Sequence, residues 1–220
     1  MKHAVIISAG GKGKRMQSDL PKQFMVVNGK PIILHTIQKF ISFDPHIEIV
    51  VVLPEDFVPL WEEICEKYFF TSAHKVALGG TERFHSIQNG LKEVTADLVA
   101  VHDAVRPFVS VDLINRCFDH LQNADAVVPV YDIHESMRKI EGTNSVSVNR
   151  IDYKLVQTPQ CFKKSVLEKA YQQQYSPLFT DDASVAEAAG FQITCCEGIR
   201  ENIKITTPFD LKLAELFFKS

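Results

Sequence analysis

The chain alternates between short continuous apolar runs and stretches whose apolar residues recur every three or four positions. The first kind predicts strands buried on both faces, the second helices with one buried stripe. His3 to Ile7, Ile47 to Leu53, Lys75 to Leu78 and Leu98 to His102 read as strands, and Pro54 ends the second. Between them Ile33, Ile37 and Ile41 mark a helix with Pro31 in its first turn, where a missing N–H costs nothing. Phe57, Trp61, Ile64, Cys65 and Tyr68 mark the next helix, with Trp61 in the core. Phe84, Ile87, Leu91 and Val94 mark a third, which Thr81 can cap. Such alternation with short links predicts an α/β fold: a Rossmann-like, doubly wound, mostly parallel sheet.

Further on, Asp112 to Gln122 reads as a helix and Ala126 to Val130 as a strand. The rhythm then breaks. Residues 131–153 hold few apolar side chains and a turn at Glu141-Gly142-Thr143-Asn144, which predicts a protruding β-hairpin. An isolated hairpin is marginal in water, so this arm is expected to pack on something else, a second subunit being the candidate; the bland alternative is a loose insertion. Leu155-Val156 returns to the sheet and Thr158-Pro159 ends that strand. Lys163 to Gln174 forms a helix, and Thr180-Asp181-Asp182 caps another that Gly190 terminates. Phe191 to Cys196 and Ile203 to Ile205 read as strands, and Thr207-Pro208 opens the last helix. The expectation is one domain over residues 1–220, with 131–153 as a dimerisation arm.

In a doubly wound sheet, ligands lie beyond the carboxyl ends of the strands. The first strand exits into Ala9-Gly10-Gly11-Lys12-Gly13-Lys14-Arg15, with Lys22 close behind and only Asp19 opposing the cations. Glycines there let the backbone approach a ligand, and bare amides with fixed positive charge make a phosphate cradle. It is not a Walker A loop, because Arg15 stands where Ser or Thr is needed. It is not a dinucleotide fingerprint either, because Met16 stands where the third glycine belongs. Gly79-Gly80 and Asp103 fall at the same sheet edge.

Charge sharpens this reading. Net charge is −3, so no general basic field exists to hold nucleic acid or an anionic membrane, and the local cations stand out. No apolar run approaches the roughly 20 residues of a membrane span, and no secretory signal is expected. Five cysteines without metal-ligand spacing suit a reducing cytoplasm. A site rich in cations and lacking an activated nucleophile suits transfer at phosphorus, where positioning and charge neutralisation do most of the work. Asp103 is the candidate ligand for a divalent cation, Mg²⁺, which bridges phosphates through one or two carboxylates. His102 reads as a packed strand histidine.

The cradle, Pro21-Lys22-Gln23-Phe24, Gly79-Gly80-x-Glu82-Arg83-x-x-Ser86, Val101-His102-Asp103-Ala104-x-Arg106-Pro107-Phe108, Gln157-Thr158-Pro159-Gln160, Thr180-Asp181-Asp182-Ala183-Ser184 and Glu201-Asn202-Ile203-Lys204-Ile205-Thr206 resemble the 2-C-methyl-D-erythritol 4-phosphate cytidylyltransferases. The resemblance runs nearly the whole length of the chain in order. It implies Mg²⁺-dependent transfer of CMP from CTP to a polyol phosphate in isoprenoid precursor synthesis, by a cytoplasmic homodimer with shared active sites. Arg15 and Lys22 would then stabilise the transition state and the leaving pyrophosphate. Ala9, Gly10, Gly11, Lys14, Gly80 and Ser86 would hold the nucleotide, with Asp103 on the metal side. Arg106, Ser136, Arg150 and Lys204 would bind the polyol phosphate, Ser136 and Arg150 reaching in from the partner's arm. Gly10, Lys14 and Ser136 depart from the alanine, arginine and threonine common in the family, without removing a charge or a hydroxyl. The sister ribitol-5-phosphate cytidylyltransferases are the alternative; Arg150, within Val148-Asn149-Arg150, favours the methylerythritol branch. Two other classes fit less well. A dehydrogenase lacks its fingerprint, and an idle nucleotide-binding module would have lost Arg15, Lys22 or Asp103.

Overall fold

A computed structural model describes residues 1–11 and 20–219. Lys12, Gly13, Lys14, Arg15, Met16 and Asp19 of the cradle lie outside the described residues. The sheet is built on β1 (His3–Ser8), flanked in parallel by β4 (Glu48–Leu53) and β6 (Leu98–Asp103), with β5 (Lys75–Leu78) parallel beyond β4. Between β1 and β4, a two-residue ladder of β2 (Val26–Val27) and β3 (Lys30–Pro31) precedes helix α1 (Ile32–Phe43). Helices α2 (Val58–Lys67) and α3 (Arg83–Lys92) make the next two crossovers, and α4 (Val111–His120) leads to β7 (Ala126–Asp132).

Alternation along β1 assigns its side chains to two cores. Val5 and Ile7 join α1, α2 and α4 on one face; Ala4 and Ile6 join α3 on the other. Each large aliphatic side chain buried this way contributes about 1.5–3 kcal/mol. On the second face Gly90 of α3 lets the helix close on the sheet, since a Cβ there would lie 2.7 Å from Val52 Cγ2 and 3.0 Å from Ile6 Cγ2.

The second half departs from a purely parallel sheet. A strand that the sequence pattern does not predict, β11 (Gln160–Lys163), lies antiparallel between β6 and β7, ahead of α5 (Lys164–Ala170). β10 (Lys154–Val156) pairs antiparallel with the far end of β7, on the edge that β11 also uses; β12 (Ile193–Glu197) lies parallel along the other. The order is β10-β7-β11-β6-β1-β4-β5, with β12 on β7. Gln160 to Lys163 has only Cys161 and Phe162 as apolar residues, too few for a strand signal, and reads as the lead-in to the helix. That helix is shorter than the expected Lys163 to Gln174, with Tyr171 at its C-cap.

Three smaller expectations also need correcting. Thr81 does not cap α3: Glu82 holds the N-cap position, and the Thr81 hydroxyl pairs with His85 Nδ1 at 3.0 Å. Ile203 to Ile205 is not a strand; Ile205 N–H donates to Val105 O at 2.9 Å, with no ladder beside it. Pro31 is the N-cap residue of α1 and lies just outside its first turn. The caps of α6 (Asp182–Ala188) and α7 (Pro208–Phe217) do form, as reciprocal boxes of Asp181 with Ser184 and of Thr207 with Asp210.

The hairpin arm consists of β8 (Arg138–Glu141) and β9 (Asn144–Ser147), joined through Gly142 at φ 64° and paired with each other. Nothing else among the described residues adds a strand to it.

Candidate active site

Parallel register brings the strand exits together. Ser8 lies opposite Asp103 on β6 and opposite Val52 on β4. The chain leaves β1 through Ala9, whose N–H donates to Val52 O at 3.0 Å. Its carbonyl accepts from the buried Gln23 side chain at 2.6 Å. Gln23 comes from the 3₁₀ turn Lys22–Phe24, so one bond ties the Pro21-Lys22-Gln23-Phe24 segment to the start of the cradle. At the neighbouring exit Ser86 Oγ accepts from Gly80 N–H and donates to Glu82 O, both at 3.0 Å, which folds the Gly79-Gly80 turn over the start of α3. A side chain at 80 would bring its Cβ to 2.3 Å from His85 Cβ, so this close approach requires glycine.

These exits enclose a cavity of about 290 Å³. Of the residues singled out above, Ala9, Gly10, Gly11, Lys22, Gly80, Ser86, Asp103 and Lys204 line it. Arg106 stands behind the wall, its Nε donating to Asp103 Oδ2 at 2.9 Å and its Nη1 to Asn202 O at 2.8 Å. Ser136 and Arg150 do not reach the cavity of their own chain. Both are exposed in the arm region, where Arg150 donates to His134 O. Arg15 and Lys14 lie outside the described residues.

Asp103 is the electrostatic centre of the wall. Burial pushes its carboxyl up, but Lys204, Arg106 and Arg83 together outweigh that and hold it well below the usual carboxylate range. Lys204 Nζ sits 3.1 Å from each carboxylate oxygen. Beneath it His102 is fully buried, and its pKa is pushed down to about 4 by that burial, against the pull of Asp103. A carbonyl can only accept, so His102 Nε2 carries the proton given to Arg106 O at 3.2 Å. Its Nδ1 then accepts from the Thr158 hydroxyl at 3.0 Å, and that oxygen accepts Asp103 N–H at 3.1 Å. His102 is thus a neutral strut that fixes the turn carrying Asp103 and Arg106.

Arg83 is a third cation in the wall among the described residues, quoted in its motif above without a role. Its guanidinium is held bidentate by the buried Asp182 at 2.9 and 2.5 Å, and Tyr171 Oη donates to the same carboxylate at 2.6 Å. Gln160 braces this corner, donating to Asp181 Oδ2 at 2.8 Å and accepting from Ala183 N–H at 2.9 Å. Gln23, Arg83, Thr158 and Asp182 share one signal: each is a polar residue inside a motif quoted above.

Among the described residues no cluster of three His, Cys, Asp or Glu side chains could cage a metal. Asp103 offers one carboxylate facing a cavity sized for phosphates. That donor set fits a cation held mainly by its substrate's oxygens, the manner of Mg²⁺.

A Gly-rich strand exit, cations converging on one cavity and the Asp103 carboxylate in its wall define a nucleotidyltransferase. The family model of the 2-C-methyl-D-erythritol 4-phosphate cytidylyltransferases (IspD) matches residues 3–220. Curated relatives so described include those of Bacteroides thetaiotaomicron, 52% identical over 97% of this chain and 98% of its own, and Phocaeicola vulgatus, 51% identical over 98% and 99%. The crystal structure of the enzyme so described from Thermus thermophilus superposes with a TM-score of 0.82 at 30% identity, covering 100% of both chains. The chain belongs to the 2-C-methyl-D-erythritol 4-phosphate cytidylyltransferase family.

Proposed function

We propose that the chain transfers CMP from CTP to 2-C-methyl-D-erythritol 4-phosphate, giving 4-diphosphocytidyl-2-C-methyl-D-erythritol and pyrophosphate. A phosphate oxygen of the acceptor attacks the α-phosphorus of CTP in line. The new P–O bond forms as the α–β bridging bond breaks, and its electron pair leaves with pyrophosphate. The observation that carries this reading is the convergence of Gly10, Gly11, Lys22, Gly80, Ser86, Asp103 and Lys204 on one cavity at the carboxyl edge of the sheet. A ribitol-specific enzyme is not favoured, since the relatives at 45–52% identity are described as methylerythritol enzymes.

Lys22, with Arg15, stabilises charge on the pentacoordinate phosphorus and the leaving group. Ala9, Gly10, Gly11, Lys14, Gly80 and Ser86 seat the nucleotide. Lys204, from the cavity wall, and Arg106, from behind it, bind the acceptor phosphate, joined by Ser136 and Arg150 of a second copy. Mg²⁺ is the proposed cofactor: it neutralises the triphosphate when bound, with Asp103 as its protein ligand. A homodimer clasped through the arm is supported by the arm's apolar side chains, with Ile140 70% and Ile151 78% exposed in a single chain. A cytoplasmic setting suits Cys117 and Cys196, whose thiols lie 3.6 Å apart, share a hydrogen bond and are not joined as a disulfide. No described helix is long and apolar enough to cross a membrane.

The test is pyrophosphate release from CTP and Mg²⁺ with methylerythritol phosphate and ribitol phosphate in parallel. Turnover with the first and little with the second is expected. A preference for ribitol phosphate, or for neither, contradicts the assignment.

A further inference from the structure

Lys204 and Asp103 are assigned above to different ligands, the acceptor's phosphate and the metal, yet the two side chains hold each other. Lys204 Nζ donates to Asp103 Oδ1 and lies 3.1 Å from Oδ2 as well, so it sits across the mouth of the carboxylate that faces the cavity. The second cation on this carboxylate is tied differently. Arg106 keeps 12% of its side chain exposed and spends Nη1 on Asn202 O, so it is anchored from two sides. Among the described residues Lys204 Nζ bonds only to Asp103, and its side chain is 41% exposed. The backbone that carries it is fixed, by Ile205 N–H on Val105 O at 2.9 Å and by the buried Asn202 on Thr158 O at 2.8 Å. A long flexible stem on a fixed base can turn its ammonium without moving the loop.

A divalent cation at Asp103 and the Lys204 ammonium would compete for the same lone pairs and repel each other at contact distance. We propose that Asp103 is a positioning residue for the acceptor as well as the metal's carboxylate. It holds Lys204 until a divalent cation and the nucleotide's phosphates claim its oxygens, and Lys204 then turns to the acceptor's phosphate. The proposal rests on the roles given to Lys204 and Asp103 in the preceding section. It makes the two substrate sites thermodynamically coupled, and the coupling is reciprocal: what loosens Lys204 from Asp103 favours the acceptor, and removing Lys204 favours the metal.

The test is calorimetric titration of 2-C-methyl-D-erythritol 4-phosphate into enzyme in EDTA, with no turnover involved. Asp103→Asn should bind the acceptor about tenfold more tightly than wild type, within the range of ordinary coupling factors. A merely structural carboxylate would give the opposite sign. In a double-mutant cycle the gain should vanish when Lys204→Ala is added, which separates release of this lysine from a general rise in positive potential. Equal or weaker binding by Asp103→Asn, or a gain that persists in the double variant, overturns the hand-over. If Asp103→Asn does not fold, Mn²⁺ titration followed by electron paramagnetic resonance, with a non-hydrolysable CTP analogue, decides. Lys204→Ala should then bind Mn²⁺ several-fold more tightly, and unchanged or weaker binding refutes the competition. Failure of the underlying assignment looks different: with Mg²⁺ and the analogue present, Lys204→Ala would bind the acceptor as well as wild type.

Discussion

Replacing Asp182 by alanine strands three donors at once: Arg83 Nη1 and Nη2, and the Tyr171 hydroxyl. The carboxylate is fully buried, whereas 33% of the Arg83 side chain meets solvent. Breaking a buried ion pair from one side costs about 3–5 kcal/mol, and partial rehydration of Arg83 favours the low end. The orphaned phenol adds about 1 kcal/mol. The expected loss is therefore about 4 kcal/mol, or roughly 10 °C in melting temperature for a chain of this size. Urea titration measures the first quantity and calorimetry the second. Arg83 lines the cavity, so KM for CTP should rise in parallel. Asp182→Asn keeps one acceptor oxygen and should lose about half as much stability. Arg83→Met with Asp182→Leu should regain much of the stability while KM stays raised, because it removes the unpaired charge without restoring the wall. A loss below about 1 kcal/mol for Asp182→Ala with an unchanged KM would refute the view that this buried carboxylate sets Arg83 in the cavity wall.

Gly90→Ala should destabilise by about 1–3 kcal/mol in urea titration, although alanine is the better helix former, because its Cβ would sit 2.7 Å from Val52 Cγ2; neutral or raised stability would show that α3 can retreat. His102 is held near pKa 4 when folded, against 6.5 when unfolded, so the unfolded chain binds the extra proton and stability falls as pH drops from about 6.5 to 4. The loss amounts to about 3 kcal/mol over that interval, and His102→Gln should flatten it in denaturant titrations at pH 7 and 4.5. Lys22→Ala should lower turnover at least about tenfold in the pyrophosphate assay. Mixing it with inactive Arg150→Ala subunits should restore part of the activity, since each defective site borrows from the other chain; no recovery after verified subunit exchange would reject a shared site.

The first four parallel strands, β1, β4, β5 and β6, and their crossover helices were legible because each carries enough apolar residues to betray its period. β11 was not: four residues, two of them polar, cannot signal a strand, and its place between β6 and β7 is fixed by long-range pairing. The Ile203 to Ile205 alternation misled for the opposite reason. Ile205 is buried against α7 and Val105, a packing contact that imitates strand periodicity without a partner strand. In the site, charges and glycines were readable as types, and the cavity gathers most of those named. The links that set them were not readable. Arg83 and Asp182 lie 99 positions apart, and Lys204 and Asp103 lie 101 apart. A charge read locally shows no partner, so Arg83 passed for an ordinary helix-start residue, and the Asp103–Lys204 contact could not be foreseen.

The central claim is that the exit of β1 grips a triphosphate. A crystal structure of the chain with CTP and Mg²⁺ tests it most directly. The phosphates should lie against Gly10, Gly11 and Lys22 with the metal beside Asp103, and the base should lie near Gly80 and Ser86. A nucleotide bound elsewhere, with that cavity closed or filled by side chains, would contradict the account.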